Sequence, residues 1–235
     1  MADTSVSARL QAVRARVREA AERAGRDPES VKLLAVSKKQ PASAIREAYA
    51  LGQRDFGESY AQELASKADE LGDLSEIRWH MIGHLQRNKA KLVVPRVVRV
   101  SSVDSERLLA ELAKQVEACE VASGKHKVLE LLLEVNLGGE DSKSGATPEA
   151  LPALLQAASA QPGLAVRGLM AIPPQTDTPD AARAFFERLR ELRDRLGGAD
   201  VLPELSMGMS GDLEAAVAAG STEVRIGTAI FGERR

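Results

Sequence analysis

Apolar positions at helical spacing open the chain. Leu10, Val13, Val17 and Ala24 share one face over residues 5–24, and Gly25 closes the run. Beyond it, short apolar or β-branched runs alternate with helical stretches. Val31–Val36 reads as a first strand, followed by a helix from Pro41 to Leu51. Arg54–Phe56 is the second, with a helix near 60–71; Arg78–Ile82 is the third, with a helix near 86–94. Val97–Val100 is the fourth, and its helix starts at Asp104, a good N-cap, and reaches about Val121. Lys127–Val135 is the fifth, after which Thr147-Pro148 supplies N-cap and first-turn residues for a helix. Leu164–Leu169 is the sixth. Thr178-Pro179 repeats that signal before Ala182, Phe185, Leu189, Leu192 and Leu196, a helix closed by Gly197-Gly198. Glu204–Leu205 is a weak seventh strand, with a helix over Gly211–Ala219, and Glu223–Ile226 is the eighth.

Eight strand–helix units after an extra N-terminal helix predict an α/β fold, a single (β/α)8 TIM barrel filling residues 1–235. A doubly wound open sheet has the same alternation and is the rival architecture. Neither a linker nor a repeat suggests a second domain.

Composition narrows the function classes. Aromatic residues are only 3% of the chain, so aliphatic side chains must fill the core. Thirty-two basic and 34 acidic residues leave a net charge of −2, which gives no basic footprint for nucleic acid. No stretch approaches the ~18 apolar residues of a membrane span, and the N-terminus has no apolar leader segment. The expectation is a soluble, cytoplasmic monomer. The single cysteine, Cys119, excludes an internal disulfide. It continues the stripe Leu108, Leu112, Val116, which predicts a buried structural thiol.

In a barrel, chemistry belongs to the carboxyl ends of the strands. There the chain places Lys38, Gly57-Glu58-Ser59, Gly83-His84, Asn136, Met170, Ser206 and Gly227-Thr228. Lys38 is either a solvated surface lysine or, partly desolvated beside Lys39, an amine able to attack an aldehyde. The segment from Leu205 to Gly232 is rich in glycine, Ser and Thr, the residue types whose amides and hydroxyls hold phosphate after strands seven and eight. Ordinary turn glycines are the competing account. Phosphate site plus reactive amine suggests pyridoxal phosphate or a phosphosugar aldehyde. His80 and His84 are four apart but not on one helical face, and no acidic or thiolate ligand completes a metal site. His126 reads as a surface residue, and Gly138–Gly145 as a flexible loop rather than an anion site around Lys143.

Several long motifs carry a resemblance: LAVSK at 34–38, FGESYAQE at 56–63, WHMIGHLQRNK at 79–89, VNLGGEDSKSG at 135–145, GLMAIP at 168–173, and the block from Leu205 to Gly232. In this order they resemble the pyridoxal-phosphate homeostasis protein family, whose fold is like the alanine racemase barrel domain. The resemblance implies pyridoxal 5′-phosphate bound as a Schiff base on Lys38, with Ser206, Gly227 and Thr228 as phosphate contacts. It places Arg225 at or near the pyridine nitrogen, and Ser59 and His80 along the ring pocket. Ser59 stands where that family usually has Asn, and Arg87 where it has a small hydroxyl residue.

An arginine at the pyridine nitrogen disfavours its protonation and makes the cofactor a poorer electron sink. The barrel also consumes the whole length, leaving no domain to supply a racemase's second acid/base, and the two tyrosines are Tyr49, within a helix, and Tyr60. The expected role is a non-catalytic carrier in vitamin B6 homeostasis, releasing its cofactor to other amines such as lysines of apo enzymes. A racemase-like enzyme and a Schiff-base phosphosugar aldolase are the catalytic alternatives.

Overall fold

The computed structural model of the chain describes residues 5–139, 144–174 and 179–233. Its strands are β1 (Lys32–Val36), β2 (Asp55–Glu58), β3 (Arg78–Met81), β4 (Arg99–Val103), β5 (Leu129–Glu134), β6 (Leu164–Met170), β7 (Glu204–Ser206) and β8 (Glu223–Ile226). They pair in parallel in chain order, and β8 closes on β1 through the register Lys32↔Glu223 to Ala35↔Ile226. Closure rules out the open doubly wound sheet.

The helices are α1 (Val6–Arg23), α2 (Ala42–Ala50), α3 (Ala61–Glu70), α4 (Ala90–Val93), α5 (Glu106–Ser123), α6 (Leu151–Ser159), α7 (Pro179–Arg195), α8 (Gly198–Val201), α9 (Leu213–Ala218) and α10 (Thr228–Phe231). Helix α1 is the extra N-terminal element. The Ser5 hydroxyl caps it by accepting from the Ala8 amide at 3.2 Å, and Leu10, Val13 and Val17 are its buried stripe.

Side chains alternate across each strand, so one set points outward to the helices and the other into the lumen. The outward set joins the helices in one large aliphatic core containing Ala35, Phe56, Leu131, Leu169 and Val224. The lumen is different. Leu34, Val36 and Ile82 form a small separate apolar cluster, and below it lie buried charges such as Arg99 and Glu223.

Several local expectations shift. Residues 87–89 form a 3-10 turn, so the helix expected over 86–94 shortens to α4. Thr147-Pro148 does not open α6: the 147–150 segment is a turn closed by Ala150 N–H donating to the Thr147 carbonyl at 3.0 Å, and the helix begins at Leu151. Ser105, not Asp104, precedes α5. Thr178 lies outside the described residues. Strand β6 slips register against β5 between Leu131 and Leu132, which leaves Arg167 out of the ladder. Cys119 is half-buried rather than buried, because the buried stripe of α5 ends at Val116 and the last turns run out into solvent, with Val121 83% exposed.

Candidate functional site

A cavity of about 440 Å³ opens at the carboxyl ends of the strands. Lys38 and Gln40 enter it from the end of β1, Ser59 from β2, Ile82 and Gly83 from β3, and Ile172 from β6. Met209, Ser210 and Gly211 come from the β7–α9 loop, and Arg225, Gly227 and Thr228 from β8 and its exit. Strands β1 and β8 are neighbours, so the amine and the glycine–hydroxyl loops meet across one seam. Gly227 allows this closeness: a Cβ there would stand 3.1 Å from the Val36 carbonyl oxygen. Gly83 is tighter still, its position leaving 2.3 Å between a Cβ and the Ser59 carbonyl oxygen.

The turn that carries Lys38 is clamped on both sides. Lys67 of α3, buried, donates to the Ser37 carbonyl at 2.6 Å, to Glu58 Oε1 at 2.8 Å and to Glu63 Oε1 at 2.7 Å. The Ser37 hydroxyl donates to the same Glu58 oxygen at 2.7 Å. Glu63 Oε1 in turn accepts the Lys39 amide, and Lys39 holds a left-handed backbone with φ of 60°. Burial raises the Glu58 carboxyl above its ordinary range, with Lys67 and Ser37 opposing.

Arg225 is held from behind. Its Nη1 donates to the Ser206 carbonyl at 2.7 Å and the Ser206 hydroxyl at 2.8 Å, and Nη2 donates to the Ala171 carbonyl at 3.0 Å. The Ser206 hydroxyl donates to Glu223 Oε1 at 2.6 Å. Burial lowers the proton affinity of Arg225, and Glu223, Glu134 and Asp212 oppose that.

Lys38, Ser59, Arg225, Gly227 and Thr228 thus share one cavity, as the sequence reading expects. Two expected site residues do not line it. Ser206 is fully buried and spent on Arg225 and Glu223. His80 precedes Ile82 by two positions on the same strand face, so it lies one lumen layer below the cavity floor. It lines a separate hollow at the amino ends of the strands with Lys32, Arg78 and Arg99, and its Nε2 is 2.9 Å from Asp55 Oδ1. Burial opposes ionisation of Asp55, but hydrogen bonds from His80 and Arg78 outweigh it and hold its pKa at about 2.

His84 is a half-exposed neighbour of Asp104, 3.8 Å away, and His126 is a surface residue beside Glu120. Tyr60 is half exposed and Tyr49 donates to Glu76 at 3.2 Å; neither lines the cavity. Of the Gly138–Gly145 loop, residues 140–143, Lys143 included, fall outside the described residues. The lining residues absent from the expected site are Val36, Gln40, Ile82, Gly83, Ile172, Met209, Ser210, Gly211 and Gly232. Met209, Ser210, Gly211 and Gly232 lie within the block from Leu205 to Gly232, Ile82 and Gly83 within WHMIGHLQRNK, Val36 within LAVSK and Ile172 within GLMAIP, whereas Gln40 carries no motif signal.

Known proteins share this fold. Residues 8–235 match the family described as the alanine racemase N-terminal domain, which defines the class of barrel. A pyridoxal phosphate homeostasis protein of Pseudomonas aeruginosa is 49% identical over 98% of this chain and 96% of its own. PipY of Synechococcus elongatus, solved with PLP bound, is 40% identical, with a TM-score of 0.79 over 92% of this chain and all of its own. Alanine racemase of Corynebacterium glutamicum shares the fold alone, at 17% identity and a TM-score of 0.64, and this chain covers 62% of it. The chain belongs to the pyridoxal phosphate homeostasis protein family.

Proposed function

We propose that this chain holds pyridoxal 5′-phosphate covalently on Lys38 and serves as a carrier of that cofactor in vitamin B6 homeostasis, not as a robust catalyst. The observation that carries the reading is the meeting, in one cavity, of a strand-end lysine, a buried arginine and a glycine–hydroxyl rim. Its relatives' names and the PLP bound in PipY support the same choice of ligand.

The residues present fit the group. When bound, pyridoxal phosphate supplies an aldehyde carbon that condenses with a primary amine and loses water. Lys38 is the primary amine in the cavity wall, and the Lys67 clamp fixes the backbone from which it reaches. Ser210, Gly211, Gly227 and Thr228 suit a phosphate: two glycines that admit the backbone closely, and two hydroxyl donors. Val36, Ile82, Ile172 and Met209 give apolar walls for a flat ring.

The same residues argue for holding over turnover. Arg225 is a permanent cation without an acceptor atom, so a pyridine nitrogen beside it stays unprotonated and withdraws electrons less well. Neither tyrosine lines the cavity to act as a second acid/base. The destinations proposed for the cofactor are primary amines elsewhere, including lysines of apo enzymes.

A visible spectrum of the purified, cofactor-loaded chain, followed by borohydride reduction and peptide mapping, tests the reading. The expected result is a visible band lost on reduction, with the label on Lys38 and absent from Lys38→Ala. A chain that cannot be loaded defeats the proposal, as does loading that moves unchanged to another lysine. Rapid exchange of an amino acid's α-proton with solvent would favour a catalyst instead.

A further inference from the structure

A second chamber of about 240 Å³ adjoins the Lys38 cavity, and Ile82, Gly83 and Ile172 stand in the walls of both. Glu134, the last residue of β5, lines it together with His84, Asn136 and Ser144. Glu134 is only 7% exposed, and its Oε2 has no hydrogen-bond partner among the described residues. Buried polar atoms nearly always have a partner, so an unspent carboxyl oxygen in the wall of a chamber marks the place of a missing donor.

The surroundings specify what that donor is. Among the described residues, the charged groups acting on Glu134 are Asp104, before α5, and Arg225, on β8; His84, in the chamber wall, lies 3.8 Å from Asp104. Arg225 donates to Ser206 and to the Ala171 carbonyl, and none of these bonds reaches Glu134. Two carboxyls disfavour an anionic ligand, and no group of three or more metal-ligating side chains occurs among the described residues. A compact cationic donor remains.

We propose that this chamber binds the ammonium group of a small primary amine, with Glu134 as its carboxylate partner, beside Lys38. The idea rests on the carrier reading for its purpose, since a carrier that releases its cargo to amines needs the amine held next to the lysine. Burial first, and repulsion by Asp104 second, raise the Glu134 pKa to about 7, with Arg225 opposing. An ammonium beside Glu134 favours the carboxylate form, so binding should lower this pKa and tighten as the pH rises through it.

The test uses the cofactor-free full chain with carbon-13 in its glutamate carboxyls and ethylammonium as the probe. Saturating ethylammonium is expected to lower the Glu134 midpoint by at least one pH unit, from about 7. Calorimetry is expected to show binding that tightens from pH 6 to pH 8 and weakens at least tenfold in Glu134→Gln. An unmoved midpoint overturns the proposal, as does equal binding by the Gln variant. Should that variant fail to fold, the titration of the parent chain decides alone. Failure to load pyridoxal phosphate would sink the carrier reading without touching this titration, and an unmoved titration would leave loading intact.

Discussion

Lys67 touches no part of the cavity, yet its ammonium makes three hydrogen bonds that fix the backbone on either side of Lys38. Its partner Glu58 is fully buried; Lys67 and Ser37 both bond its Oε1, and Oε2 has no partner among the described residues. Lys67→Met therefore leaves a buried carboxylate without its cation, a loss of about 3–5 kcal/mol. The sign of the pH dependence follows. Glu58 already has a raised pKa, and removing Lys67 raises it further, so the folded variant keeps its proton where the unfolded chain has lost it. The deficit against the parent should be small at pH 5 and widen towards pH 8. Urea midpoints at the two pH values measure this, and Lys67→Met combined with Glu58→Gln should recover most of the loss. A gap that stays constant with pH would mean that Lys67 acts by packing alone.

Among the elements, the strands were the legible part. Runs such as KLLAV and EVRI are short, apolar or β-branched and bounded by turn residues, and all eight became strands of the barrel. What alternation could not convey is the depth of a residue within the lumen. Lys32, Leu34, Val36 and Lys38 follow one face of β1, but only the upper members see the cavity. His80 and Ser206 were assigned to the mouth by motif; they are in the barrel and one layer down. The Lys67 clamp and the Glu134 chamber escaped for another reason. Both join residues from different elements, and such contacts leave no local pattern.

Gly83 sits between these levels. It follows β3, lines both chambers, and its site would place a Cβ 2.3 Å from the Ser59 carbonyl oxygen and 2.8 Å from Ser59 Cα. Those are backbone atoms, so Gly83→Ala must push the ends of β2 and β3 apart. The expected cost is about 1–3 kcal/mol, together with weaker cofactor loading, because Ser59 moves with its backbone. Gly211→Ala is the contrast: that glycine also lines the cavity, but its Cβ would meet nothing within 4 Å. It should leave the thermal midpoint unchanged. Equal thermal midpoints for the two variants would show that the crowding at Gly83 relaxes without consequence.

At the scale of the whole molecule, the two ends of the barrel are joined by a polar line through the lumen. At the base, Arg99 donates to Glu204 at 2.6 Å, to Glu130 at 2.7 Å and to Glu223 at 3.3 Å. Glu223 then accepts from the Ser206 hydroxyl, which accepts from Arg225 in the cavity wall. Burial opposes the charge on Arg99, but Glu223 and Glu204 overcome it and raise its proton affinity. Hydrogen bonds therefore link a residue of the cavity wall on the carboxyl face to one at the opposite end. Arg99→Met should destabilise the fold by about 3–5 kcal/mol, since Glu223 would remain buried without the guanidinium and Glu204 would keep only Lys32, at 3.3 Å. It should also weaken pyridoxal phosphate loading in the molecules that stay folded, because Glu223, released from Arg99, no longer holds Ser206 and, through it, Arg225 in the same place. Arg16→Met, which breaks the exposed pair with Glu214 on the outer helices, is the control; its effect on stability should stay below about 1 kcal/mol. Denaturation curves read the first effect, and borohydride-fixed label on Lys38 per folded molecule reads the second. Full loading of a destabilised Arg99→Met chain would show that Arg225 keeps its position without the line beneath it, and that the base of the barrel serves stability alone.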